Sequence, residues 1–271
     1  MLGEIPEAVA PQQSAFLRRL LNVASADDRF AALFLGGSYA AGTADEHSDL
    51  DVYLITTDAA FEDVRQERHD LLRSLGEALF LEEHSFFGFL LLLYMYADGV
   101  EGEMALAPER DLATVHSGPY RALLDKTGVL QGHAAGSTFG AEQRAAAIHE
   151  AFTWFWYYRR HLDVALARGH LWTAHSFLER CRERCLQLLW LQALPDSWPG
   201  DHEKAERVLD ARALERLAPT IVPLESDAIA HAGARLTVFH RGLGAELGER
   251  YGVAYPARLG DAVESRARLV D

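Results

Sequence analysis

Residues 34–54 read FLGGSYAAGTADEHSDLDVYL, and their order decides what the rest of the chain can be. FAALFLG (30–36) is a short apolar run closed by Gly36 and Gly37, and DLDVYLI (49–55) alternates strictly, so both predict β-strands. Between them Gly37-Ser38 opens a turn of small residues, Tyr39 to Thr43, and a polar loop, Ala44 to Ser48, follows. Such a turn lets backbone N–H groups come close to phosphate oxygens, and the Ser38 hydroxyl adds a donor. Asp49 and Asp51 are two apart on a strand, so both project from one face. Carboxylates so placed are the hard oxygen ligands that hold Mg²⁺ where phosphoryl chemistry needs charge neutralised.

Working outward, Phe16, Leu17, Leu20, Leu21 and Val23 predict a helix over 11–26 that ends at the Asp27-Asp28 turn. Phe61, Val64, Leu71, Leu72, Leu75 and Leu79 recur near the helical period and predict a helix within 59–83. FFGFLLLLYMY (86–96) and VEGEMALAP (100–108), joined by Asp98-Gly99, predict a hairpin. A short helical ERDLATV (109–115) and a last strand in RALLDKTGVL (121–130) complete this half. QGHAAGSTFG (131–140) has no periodicity and marks the boundary between a domain at 1–130 and one at 141–271. Beyond it come helical segments 142–167, 171–194, 201–217, 226–251 and 256–269, broken at Arg168-Gly169, Pro195 to Pro199 and Pro219 to Pro223. The expected fold class is α+β: a mixed sheet flanked by helices, then an all-helical bundle.

The net charge of −14, from 40 acidic against 26 basic residues, disfavours duplex nucleic acid as a partner and favours a small, cationic one. The longest apolar stretch, 86–97, is about half of the ~20 residues that cross a bilayer, and the N-terminus has no signal-peptide pattern. No membrane association and a cytoplasmic location are therefore expected. Cys181 and Cys185, four apart in a helical segment, read as plain buried thiols.

Gly-Gly-Ser, a small-residue turn, a polar loop and Asp-x-Asp in an alternating strand together resemble the nucleotidyltransferase superfamily typified by DNA polymerase beta. The resemblance implies attack of an acceptor hydroxyl on the α-phosphorus of a nucleoside triphosphate, with pyrophosphate leaving. Asp49 and Asp51 would hold two Mg²⁺ ions, and Gly37 and Ser38 would anchor the β,γ-phosphates. A third acid on a neighbouring strand, as metal ligand or base, falls at Glu103 in VEGEMALAP, where the superfamily often has Asp. Glu101 shares the face of Glu103 by two-residue spacing and is the alternative, placed near the acceptor. His47 and Ser48 would shape the loop before the paired acids.

Further along, GEMALAPERDL, RALLDKTG, WFWYYRRHLDVALARGHLWTAHSFLE (154–179) and CLQLLWL are similar in order to antibiotic nucleotidyltransferases of the two-domain lincosamide and aminoglycoside type. That similarity implies an antibiotic acceptor and a homodimer. It places Tyr157 and Tyr158 at the acceptor and points Arg159 and Arg160 toward the β,γ-phosphates. The spacing favours a packed core for Phe152, Phe155 and Trp156, and a solvated helix face explains the arginines equally well. A different reading is an antitoxin that nucleotidylates a HEPN-like partner protein, since Arg168 to His175 and Arg235 to His240 meet the loose Arg–His spacing of HEPN modules. A catalytically dead nucleotide-binding protein is a third.

Overall fold

Pro11 opens the first helix, α1 (Pro11–Ala26), at the position where proline's missing N–H costs nothing. After it come β1 (Phe30–Leu35), α2 (Gly37–Ala41), β2 (Leu50–Thr56), α3 (Phe61–Ser74), β3 (Ala78–His84), β4 (Leu90–Tyr96), β5 (Glu101–Pro108), α4 (Leu112–Val115) and β6 (Arg121–Asp125). The computed structural model describes residues 3–6, 9–84, 89–133, 139–199 and 204–267. The chain divides into two compact units, Met1–Thr138 and Phe139–Asp271.

The first unit is a six-stranded mixed sheet in the order β3-β4-β5-β2-β1-β6. Only the β2–β5 pair is parallel; the other neighbours are antiparallel. One face buries Leu33, Leu50, Val52, Leu54, Leu92, Tyr94 and Met104 against Phe16, Leu17 and Leu20 of α1 and Val64 and Leu72 of α3. On the opposite face Phe34, Ile55 and Ala107 are covered by Leu112, Val115 and Leu130. With both faces covered, every residue of β1 is buried, which is why FAALFL reads as a continuous apolar run.

The helix expected within 59–83 ends at Ser74, and its last part is the strand β3. Leu75 and Leu79 lie four apart by coincidence. Gly76 stops the helix where a Cβ would meet the Tyr96 ring at 3.0 Å, and residues 78–84 gain the hydrogen-bond ladder of β4 instead. The Asp98-Gly99 turn joins β4 and β5 as expected, with Gly99 at φ 83. Phe86 to Gly88, most of the expected interdomain stretch, Asp201 and residues 268–269 lie outside the described residues.

The second unit consists of α5 (Ala141–Ala167), α6 (Leu171–Ala193), α7 (Ala205–Val208), α8 (Ala211–Leu217), α9 (Ser226–Tyr251) and α10 (Ala257–Ala267). The segment expected as one helix over 201–217 is two, because the Asp210 side chain caps a new start by accepting from the Arg212 and Ala213 amides. Phe152, Phe155, Trp156, Leu162, Cys181, Cys185 and Leu236 form the core. The two cysteines are buried free thiols. No helix among the described residues is long and apolar enough to cross a membrane.

His240 sits fully buried in this core, its ring stacked on Phe155 at 3.8 Å and its Nδ1 2.9 Å from the Tyr255 hydroxyl. Burial pushes its pKa down to about 3, against a partial offset from the Ala151 backbone and a further push down from Arg241. The folded bundle therefore keeps the imidazole neutral, while the unfolded chain takes up a proton below its ordinary value of 6.5. The stability due to neutral burial is complete above that value and is lost as pH falls toward the folded pKa. At pH 5 the loss should be about 2 kcal/mol. All five tryptophans lie between Trp154 and Trp198, so their fluorescence in a denaturant titration reports this unit. His240→Phe should flatten the pH slope by that amount; an unchanged slope would assign it to other groups.

Candidate active site

The parallel pairing of β2 with β5 sets Asp51 directly opposite Glu103 and Leu50 opposite Gly102. Neighbouring strands lie ~4.8 Å apart, so the two carboxyl groups share one face as adjacent side chains. Asp49 is exposed and stands one residue before β2 begins. Glu101 is also exposed and lies opposite Met95 of β4. Among the described residues no group of three or more His, Cys, Asp or Glu converges closely enough to hold a metal ion by itself. The acids thus form an adjoining pair, Asp51 and Glu103, with Asp49 at its margin.

The Gly36-Gly37-Ser38 turn is packed directly on this pair. Gly36 donates its N–H to the Asp51 carbonyl at 2.9 Å. Gly37 has φ 52, and a Cβ there would lie 1.7 Å from Asp51 Oδ2, so only glycine permits both the backbone conformation and the close approach. Ser38 Oγ is buried and, among the described residues, has no hydrogen-bond partner. A hydroxyl held out of water without a partner is costly unless a ligand supplies one.

The loop that follows is ordered by its own polar groups. The Asp45 amide donates to Ser48 Oγ at 2.9 Å, and the His47 amide donates to Asp45 Oδ1 at 3.0 Å. The His47 ring is exposed and lies 3.4 Å from the Glu46 carboxylate.

Several tyrosines surround the acids and register their charge. Burial, then Asp51 and Glu103, push the Tyr53 phenol up to about 12. Tyr94 is raised by burial, then by Tyr96, Asp51, Asp49 and Glu103. Tyr39 is raised by burial, against the lowering effect of its hydrogen bond to Gln13, with Asp49 and Asp45 adding to the rise. All three phenols stay protonated at neutral pH.

The register also shows residues that the sequence did not single out. Glu103 faces Leu93 of β4, which faces Glu82 of β3; in the next row Glu101, Met95 and Phe80 follow one another. Phe80 and Met95 are 46% and 44% exposed, so the face bearing Asp51 and Glu103 continues as an open shelf of alternating acids and apolar groups. No local pattern marks Phe80 or Glu82, because β3 is exposed along most of its length.

In the helical unit, Arg159 is built into the bundle, ion-paired with Asp163 and 3.3 Å from Thr237 Oγ1 through Nε. Among the described residues no hydrogen bond or ion pair holds Arg160. Tyr157 is 50% exposed and touches Trp154 and His161, while Tyr158 lies under the guanidinium groups of Arg180 and Arg184. Phe152, Phe155 and Trp156 are core. Burial of His240 removes the second Arg–His pair from the surface.

Across 97% of this chain and 98% of the other, the structure is similar to an aminoglycoside 6-adenyltransferase from Bacillus subtilis, at 16% identity and a TM-score of 0.44. A nucleotidyltransferase-like protein from Exiguobacterium sibiricum matches over 89% of this chain and 78% of its own, at 12% identity and a TM-score of 0.42. No curated protein matches the sequence. The family model described as streptomycin adenylyltransferase matches residues 12–267, nearly the whole chain; the chain belongs to that family and is a nucleotidyltransferase.

Proposed function

We propose that the enzyme transfers a nucleoside monophosphate, with release of pyrophosphate, from a nucleoside triphosphate to a hydroxyl of a cationic antibiotic of the aminoglycoside or lincosamide class. The observation that carries this reading is the Asp51–Glu103 pair packed against Gly37, beside a buried Ser38 hydroxyl that lacks a partner. The family name makes ATP and streptomycin the first donor and acceptor to try.

The residues fit a divalent metal. Mg²⁺ is commonly held by one or two carboxylates together with substrate phosphates and water, so the pair needs no third protein ligand to bind it with a triphosphate. Asp51 and Glu103, with Asp49 at the margin, would hold it, and it would neutralise charge developing on the phosphoryl oxygens. Ser38 would donate its hydroxyl, and the Gly37 backbone its N–H, to the β,γ-phosphates. Glu103 would accept the proton of the attacking hydroxyl. The shelf of Glu82, Glu101, Phe80 and Met95 suits an acceptor that combines positive charge with apolar ring edges.

In the second unit, Tyr157 supplies an exposed ring for a sugar or ammonium group, and Tyr158 a ring already shared with two arginines. Arg159 and Arg160 would serve the β,γ-phosphates, with Arg160 the better candidate because Arg159 is already ion-paired with Asp163. A homodimer and a division of labour between a sheet domain and a helical domain belong to the same proposal. The test is pyrophosphate release from purified protein with each triphosphate, Mg²⁺, and panels of aminoglycosides and lincosamides. Release with one panel member and ATP is the expected result. Release only with a protein acceptor would replace the antibiotic by a partner of the antitoxin kind, and none with any acceptor would leave a nucleotide-binding protein.

A further inference from the structure

Asp49 is exposed, yet the main chain on both sides of it is gripped from the protein interior. On one side Gln13 of α1, only 7% exposed, donates from Nε2 to the Ser48 carbonyl at 2.7 Å and accepts from the Tyr39 hydroxyl at 2.5 Å. A carbonyl can only accept, so the amide NH₂ must face Ser48 and the amide oxygen must face Tyr39. One orientation of Gln13 satisfies both bonds.

On the other side the Tyr94 hydroxyl donates to the Leu50 carbonyl at 3.2 Å. Tyr94 of β4, Gly102 of β5 and Leu50 of β2 form one cross-strand row. The row works because its middle member has no side chain. A Cβ on Gly102 would lie 2.2 Å from the Leu50 oxygen and 2.8 Å from the Tyr94 hydroxyl. The glycine lets a phenol on β4 reach across β5 to β2, and both residues are buried where water cannot replace the bond.

We propose that Gln13 and Tyr94 are positioning residues: by holding the Ser48 and Leu50 carbonyls they fix the backbone of Asp49, so that its carboxylate meets a divalent cation beside Asp51 and Glu103. This inference rests on the assignment of those three acids to the cation. Asp49 lies outside the strand ladder; the Ser48 carbonyl belongs to the peptide that enters it and the Leu50 carbonyl to the peptide that joins Leu50 to Asp51, so the two bonds bracket the Asp49–Leu50 backbone. Groups that orient a ligand without touching the metal commonly contribute about 10- to 100-fold in affinity or rate. An Asp49 free to drift would have to be ordered anew at each binding event.

The test uses the full chain with Tyr94→Phe, which removes one hydroxyl, and Gln13→Met, which keeps the shape and removes both bonds. Mn²⁺ affinity of the complex with a non-hydrolysable ATP analogue, read from the bound-ion signal by electron paramagnetic resonance, should fall about tenfold in each variant. Turnover should fall in proportion and recover partly at high Mg²⁺, while KM for the triphosphate stays within about twofold. Wild-type Mn²⁺ affinity and turnover in both variants, with Asp49→Asn impaired, would overturn the clamp and leave the acids in place. So would a lower melting temperature with unchanged affinity. Wild-type Mn²⁺ binding in both Asp49→Asn and Asp51→Asn would instead remove the acid assignment, and the clamp with it.

Discussion

Asp51→Asn should lower turnover about 10³-fold while the protein melts no earlier than the parent. The two halves of this expectation have one source. Asp51 stands opposite Glu103 across a parallel strand pair, and like charges placed so oppose folding by roughly 0.2–1 kcal/mol. Asparagine has the same shape, so it still fits against Gly37, and it removes one of the two charges. Catalysis loses what folding gains, because an amide oxygen is a poor substitute for a carboxylate toward a divalent cation. Pyrophosphate release and a melting curve on the same preparation check both halves. A variant with full activity in saturating Mg²⁺ would remove Asp51 from the reaction. The companion pair Glu103→Gln and Glu101→Gln divides the remaining acids: the cross-strand register assigns the larger loss to Glu103, and a loss confined to Glu101→Gln would reverse that assignment.

How much of this was legible in the sequence depends on whether a feature is local. Helix α1 and strand β2 were, since the first carries its apolar residues at helical spacing and the second alternates Leu50, Val52 and Leu54 into the core. Strand β3 was not. Its residues are largely exposed on both faces, so alternation has nothing to report, and what makes it a strand is pairing with β4. The Gly37–Ser38 turn and Asp51 belong to one short segment and could be read together. Two-residue spacing leaves Glu101 and Glu103 on one face, and only the resemblance pointed to Glu103; the parallel register of β2 with β5 is what sets Glu103 rather than Glu101 opposite Asp51. Gln13 and Tyr94 hold carbonyls 35 and 44 residues away in the chain, and a buried glutamine in an apolar helix face gives no sign of what it grips.

Gly37→Ala should lower turnover about 10²-fold and destabilise the first unit by about 1–3 kcal/mol, and the comparison with Gly42→Ala separates the causes. Gly37 and Gly42 lie at opposite ends of α2, at φ 52 and φ 71, where an L-residue is strained. Alanine at either position therefore carries a similar backbone cost, about 1–2 kcal/mol. Their surroundings differ. At Gly42 nothing lies within 4 Å of a new Cβ, whereas at Gly37 it would lie 1.7 Å from Asp51 Oδ2. The Asp51 carboxylate must then move by more than an ångström, away from the position it shares with Glu103, and a displacement of that size in a reacting group costs about 10²-fold. Gly42→Ala should accordingly lose stability and keep its turnover, while Gly37→Ala loses both. If the two variants lose turnover equally, backbone strain in the turn is the whole effect. Contact between glycine and carboxylate would then have no part in holding the phosphate-binding turn against the acids.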